Sequence, residues 1–199
     1  MQPVYLLLDT SGSMRGEAIA AVNVGLASMV AALRSRPGLG ERVHLSIVTF
    51  DAEVKEVVPL QPVGRLHVPT LTVPSSGPTF IGAALEHFLA QHSRAARPPG
   101  TLPAMLMLMT DGSPTDLQVY EEAIPKVKQL GLAKILAFAA GPKARTEPLV
   151  PLADEVIALA TLDGSAFARM FDHVAQTIGG GASSPSLLPP PPPNLQVVL

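Results

Sequence analysis

Short apolar runs and helix-spaced apolar stripes alternate along this chain. Val4–Leu8 is a continuous apolar run closed by Asp9, the pattern of a strand buried on both faces. From Glu17 to Leu33, apolar residues at Ile19, Val22, Leu26, Met29, Val30 and Leu33 recur every three or four positions. They mark one face of a helix that Arg36-Pro37-Gly38 ends. Val43–Phe50 alternates and then turns wholly apolar, as a second strand does. Val54–Leu60 follows after only Asp51-Ala52-Glu53. So short a connection calls for an antiparallel strand at the sheet edge, because a parallel crossover takes about a dozen residues or more.

The second half continues the alternation. Gly77-Pro78-Thr79 is a loop, and Ile81–Gln91 reads as a helix with Ile81, Leu85, Phe88 and Leu89 on one side. Ala104–Thr110 is the most hydrophobic strand and stops at Asp111-Gly112. Leu117–Leu130 has helical spacing that Pro125 should kink or restart. Lys134–Ala140 is a buried strand, Glu147–Ala153 a short helix, Val156–Ala160 a last strand and Ser165–Ile178 a terminal helix. This order predicts an α/β fold: a Rossmann-like three-layer sandwich, its central sheet mostly parallel with one antiparallel edge strand, helices on both faces. Such folds bind ligands beyond the carboxyl ends of their strands, at the point where strand order reverses.

Residues 1–178 read as one domain and 179–199 as a tail. The tail holds Gly179–Gly181, a Pro189–Pro193 run suited to a polyproline II rod, and the apolar Leu195–Leu199, which suits strand addition to a sheet edge. A disordered end is the competing reading.

Composition narrows the function classes. Apolar residues make up 47% of the chain, enough for a core, but aromatics only 4%, so aliphatic side chains must fill it. A net charge of −2 with no basic cluster argues against nucleic acid as the partner. Cysteine is absent, which excludes disulfides, thiol catalysis and thiolate zinc. The start of the chain lacks a basic segment and its apolar run stops at Asp9, so no signal peptide is expected. No membrane span is expected either, and a soluble cytoplasmic protein is the default. His44, His67, His87, His92 and His173 lack metal spacing, and the surface is the expected place for most of them.

The chemistry lies at the strand ends. The first strand ends in Asp9-Thr10-Ser11-Gly12-Ser13 and the most apolar one in Thr110-Asp111-Gly112, while Thr79 sits in a glycine-containing loop before a helix. If those two strands are neighbours across the switch point, two carboxylates and three hydroxyls meet in one crevice. Hard cations such as Mg2+ take oxygen ligands in an octahedron. Neutral hydroxyls ligate such an ion without cancelling its charge, and carboxylates set back through water can orient them. An ion held this way stays electrophilic enough to take a carboxylate from outside.

Asp9-Thr10-Ser11-Gly12-Ser13 resembles the Asp-x-Ser-x-Ser signature of von Willebrand factor type A (vWA) domains, shared with integrin inserted domains. Thr79 and Asp111 resemble the Thr and Asp that complete the family's metal-ion-dependent adhesion site. The resemblance implies one divalent cation, Mg2+ first and Mn2+ or Ca2+ as alternatives, held by Asp9, Ser11, Ser13, Thr79 and Asp111. It implies a binding module that captures an acidic residue or C-terminal carboxylate of a protein partner. Val4–Glu17, Val48–Asp51, Leu108–Asp116 and Phe138–Pro142 are similar to the bacterial TerY-like tellurium-resistance proteins. That similarity implies a stress-response complex with kinase and phosphatase components. Pro78 departs from the family pattern, where a second Gly usually precedes the Thr. The Cys-rich ribbon of some relatives is missing.

An enzyme is the alternative class, a metal-dependent hydrolase or phosphatase using the same cluster. Asp-x-Ser stands where an aspartate-nucleophile phosphatase would have Asp-x-Asp, and no Walker loop or nucleophile elbow is present. Asp116 reads as a cap or turn residue, and Thr10 and Ser113 as loop hydroxyls.

Overall fold

The computed structural model describes residues 1–74, 77–141, 144–159, 161, 164–180 and 195–198, of which 179–180 and 195–198 by backbone alone. In chain order the elements are β1 (Gln2–Asp9), a 3-10 turn (Gly12–Met14), α1 (Glu17–Ser35), α2 (Leu39–Arg42), β2 (Val43–Phe50) and β3 (Val54–Pro62). A second 3-10 turn (Val63–Arg65), α3 (Ile81–Arg94), β4 (Met105–Thr110), α4 (Leu117–Lys128), β5 (Lys134–Ala140), β6 (Glu155–Leu159), α5 (Gly164–Gly180) and β7 (Leu195–Val198) follow.

Among the described residues the sheet runs β3-β2-β1-β4-β5-β6-β7. β1, β2, β4, β5 and β6 are parallel, and β3 pairs antiparallel with β2 at one edge. At the other edge β7 pairs antiparallel with β6, Leu159 opposite Leu195 and Val156 opposite Val198. The end of the chain therefore adds a strand to the sheet. The Pro189–Pro193 run and Gly181 lie outside the described residues.

Strand alternation sorts the core into two layers. Val4, Leu6 and Leu8 of β1 and Met105, Met107 and Met109 of β4 face α1 and α5. Tyr5 and Leu7, with Leu106 and Leu108, face α3 and α4. Period-two side-chain direction makes one continuous apolar run serve both layers. In α1, Val22, Leu26, Met29, Val30 and Leu33 are all buried. At 19 residues α1 is long and apolar enough to cross a membrane by length and composition alone. In this fold its apolar stripe packs inside the domain.

Three local expectations need correction. Glu147–Ala153 is a series of turns rather than a helix: Leu149 and Val150 bond back to Thr146, and Leu152 and Ala153 to Leu149. Pro148 and Pro151 have no N–H to continue a ladder. Pro125 neither ends nor restarts α4, which runs through it to Lys128. The carbonyl that its missing N–H would serve belongs to Glu121, and both residues are exposed, so water can take that role. The histidines are mostly not on the surface. His92 and His173 are buried and His44 and His87 half-buried, leaving only His67 exposed. An imidazole has enough apolar body to pack under a helix while its polar edge seeks a partner.

Candidate metal centre

The strand order reverses between β1 and β4, and there the expected side chains meet. Asp9, at the end of β1, is fully buried. Its Oδ1 accepts the backbone N–H of Ser11 at 2.7 Å and its Oδ2 the hydroxyl of Thr110 at 2.6 Å. The first bond folds the chain after β1 into a tight turn, and the second fastens that turn to the end of β4. Ser11 Oγ lies 3.2 Å from Ser13 Oγ, and Ser13 donates to Asp111 Oδ1 at 2.8 Å. Ser11, Ser13 and Asp111 thus form a continuous line of oxygens beyond the sheet.

Thr79 arrives on a third loop. A Cβ placed on Gly112 would stand 3.3 Å from Thr79 Oγ1, so the residue after Asp111 must be small for Thr79 to lie against it. The Thr79 carbonyl accepts the N–H and the hydroxyl of Thr115, each at 3.0 Å, which ties its loop to the one after β4. All five expected residues therefore belong to three loops bonded to one another. Ser75 and Ser76, which precede Thr79 in its motif, lie outside the described residues.

Two residues, Thr110 and Asp51, do positioning work that the sequence reading did not assign. Thr110 holds Asp9. Asp51 accepts the hydroxyl of Thr10 at 3.3 Å and the N–H of Glu53 at 2.9 Å, while its carbonyl accepts the N–H of Phe80 at 3.0 Å. Asp51 thereby links the loop after β1 to the loop of Thr79. A buried threonine and aspartate at strand ends were the available signal. Asp116 is a cap, as expected, but of the neighbouring helix: its two oxygens accept the N–H groups of Gly82 and Ala83 at the start of α3. Gly82 is obligatory there, since a Cβ would collide with the Tyr120 backbone.

The centre disfavours its own negative charge. Burial pushes the Asp9 carboxyl up to about 6 against the pull of its bonds from Thr110 and Ser11, and Asp111 nearby raises it further. Burial also raises Asp111, with Ser13 pulling the other way. Two carboxyls held above their ordinary range in one crevice suit a cation. Oxygens on adjacent corners around an ion with ligands at about 2.1 Å stand about 3 Å apart. The observed 3.2 and 2.8 Å separations bracket that spacing. Among the described residues no group of three or more His, Cys, Asp or Glu could hold a metal ion.

The von Willebrand factor type A domain model matches residues 4–160. This chain belongs to the vWA family. Its fold is similar to the pilus adhesin SpaC of Lactobacillus rhamnosus GG in its open conformation, with a TM-score of 0.69 at 16% identity, covering 88% of this chain and 30% of that one. It is also similar to proximal thread matrix protein 1 from the mussel byssus with a zinc-occupied MIDAS motif, at TM-score 0.64 and 17% identity over 88% and 47% of the two chains. A von Willebrand factor type A protein from Catenulispora acidiphila gives 0.62 and 19%, over 90% and 43%. This vWA chain spans less than half the length of each of these structures. No curated protein matches it.

Proposed function

We propose that this vWA domain is a metal-dependent interaction module, not an enzyme. The observation that carries the reading is the oxygen line Ser11–Ser13–Asp111, at 3.2 and 2.8 Å, pinned to the buried Asp9. Ser11, Ser13 and Thr79 would hold a divalent ion through their hydroxyls, with Asp9 and Asp111 bound directly or one water away. The ion, Mg2+ in our reading with Mn2+ or Ca2+ as alternatives, would supply an open electrophilic position for an Asp, a Glu or a C-terminal carboxylate of a protein partner. The chain's own part is to fix the hydroxyls in place and keep its carboxylates from quenching that position. The mussel protein's zinc-occupied MIDAS supports a divalent ion at the matching place.

Asp9 is unsuited to nucleophilic attack, because both its oxygens already accept hydrogen bonds and none of its surface is exposed. The motif similarity to TerY-like proteins supports a cytoplasmic role as scaffold in a tellurium-resistance or stress-response complex. Capture from source-cell lysate, with and without chelator, tests this. A partner retained equally in excess EDTA contradicts carboxylate capture. Turnover of generic phosphoester or ester substrates with added Mg2+ or Mn2+, lost in Ser13→Ala, contradicts the non-enzymatic reading.

A further inference from the structure

The outward side of α1 departs from what a surface helix ordinarily shows. Its apolar stripe packs inward, so its other side should be polar and charged. Yet no charged residue occurs between Glu17 and Arg34. Asn23 is half-buried and spent on Leu71, donating to its carbonyl at 2.9 Å and accepting its N–H at 2.7 Å. Val24, at 63%, is the most exposed large apolar residue among those described. Ala20, Ala27 and Ala31 are exposed beside it, and between the two charged ends only Ser28 adds an exposed polar group.

These positions have an order that fits one occupant. Glu17, Ala20, Val24, Ala27, Ala31 and Arg34 recur at alternating intervals of three and four, the spacing of a seam between two packed helices. The intervals read the same from either end. In an antiparallel pair of copies about a two-fold axis, Glu17 therefore meets Arg34, Ala20 meets Ala31 and Val24 meets Ala27, each twice. Both end charges lack a partner of opposite sign among the described residues. Arg34 gives Nε to the Val63 carbonyl at 2.9 Å and a second N–H to the Leu66 carbonyl, which fixes its guanidinium at the end of α1 without neutralising it. A parallel pair would set Glu17 against Glu17 and Arg34 against Arg34, so the charges select the antiparallel one. Alanine along the seam lets the two helix axes approach to about 8 Å.

We propose that this face of α1 docks a second copy of the chain as an antiparallel helix pair, with Val24 and Ala27 at the two-fold axis. The stripe is about 28 Å long and about 10 Å wide, so the pair buries less than the roughly 1,200 Å2 of a standard interface. The pairing is accordingly weak, and the chain is monomeric at micromolar concentration. It takes effect where copies are gathered on one assembly. α1 begins at Glu17, directly after the loop that carries Ser11 and Ser13, so the pair turns its two metal-centre ends in opposite directions and can bridge two partners. The pairing itself does not depend on the metal reading.

The chain has no cysteine, so introduced ones report the contact without background. Ala20→Cys and Ala31→Cys, both at exposed positions of the full chain, are mixed with one of them 15N-labelled and oxidised in EDTA at ~0.5 mM, where a weak pair is populated. A disulfide needs Cα atoms within about 7 Å. Facing positions meet that condition, whereas two copies of the same variant would have to span an offset of about 16 Å along the helix. The mixture should give at least ~10-fold more disulfide dimer than either variant alone, with the mass of the mixed species. Adding Glu17→Lys to both should lower the yield about fivefold, because two ion pairs per dimer become like-charge contacts. Val24→Glu should lower it further by setting two carboxylates at the axis. Both positions are exposed, so these variants keep the fold. Equal yields from the mixture and from either variant alone, or yields unmoved by Glu17→Lys or Val24→Glu, overturn the proposal. Retention on phosphatidylcholine vesicles with no mixed dimer assigns the face to lipid and overturns it as well. With EDTA present throughout, neither result bears on the metal centre.

Discussion

Asp9 and Ser13 belong to one centre but differ in what their removal does. Asp9 is buried and engaged by two donors, so Asp9→Ala orphans the Ser11 N–H and the Thr110 hydroxyl and should cost about 1–3 kcal/mol of stability along with the metal. Ser13 is exposed and its bond to Asp111 is on the solvent side. Ser13→Ala should therefore weaken Mg2+ binding at least ~10-fold in calorimetry and leave the denaturation midpoint nearly unchanged. Unaltered Mg2+ affinity in this variant would remove Ser13 from the ligand set. The pH dependence of the metal-free protein follows from Asp9. Its folded value of about 6 lies above the ordinary 3.8, so the folded state holds a proton that the unfolded state releases. Stability from this group is fully present below pH ~4 and lost as pH rises through ~6, by at most about 3 kcal/mol. Urea midpoints in EDTA should fall across that window, and saturating Mg2+ should flatten or reverse the slope. Identical slopes with and without Mg2+ would show that the ion does not meet Asp9. The sequence made the five oxygen donors visible because their spacing is local. Thr110 and Asp51 were not assigned, because their partners are 101 and 41 positions away in the chain and only the strand order brings them close.

Two helices of this fold depend on glycines for opposite reasons to those helix propensity suggests. Gly25 lies within α1, where alanine would ordinarily gain about 1 kcal/mol. Here a Cβ would drive into the Phe171 ring of α5 and stand 3.3 Å from the Phe167 carbonyl. Phe171 is fully buried and cannot swing away. Gly25→Ala should therefore destabilise by about 1–3 kcal/mol, read from the urea midpoint, and a more stable variant would show that α5 yields at this contact. Element type was legible where periodicity ran long, as in α1 and the strands from β1 to β5. It failed where a few local residues decided: Pro148 and Pro151 turn an apolar helical spacing into turns, whereas Pro125 is tolerated because the carbonyl it leaves open faces water. Burial of His92 likewise came from tertiary packing, its ring lying 5.7 Å from Tyr5 and 5.5 Å from Phe88.

At the scale of the whole molecule, the sheet order explains both the crevice of the candidate metal centre and the placing of the last strand. Reversal between β1 and β4 opens the crevice that gathers the three loops, and the same order leaves β6 as an edge until β7 covers it. An open edge exposes unpaired N–H and C=O groups, and Leu195–Leu199 carries no charged side chain to discourage pairing. The pairing spans only Leu195–Val198, so its protection should be modest and local. Removal of residues 195–199 should raise amide hydrogen exchange within Val156–Leu159 by about 10-fold or more, at alternate positions, since an antiparallel neighbour takes the N–H of every second residue. Exchange in β1 and β4 should be unchanged, and Mg2+ affinity should stay within about twofold, because β5 and β6 separate β7 from the candidate metal centre at the ends of β1 and β4. The exposed edge should also promote self-association, seen as a concentration-dependent sedimentation coefficient absent from the full chain. If exchange along β6 and sedimentation are both the same with and without these residues, the last strand does not cover the edge in solution and the end of the chain is a passive extension.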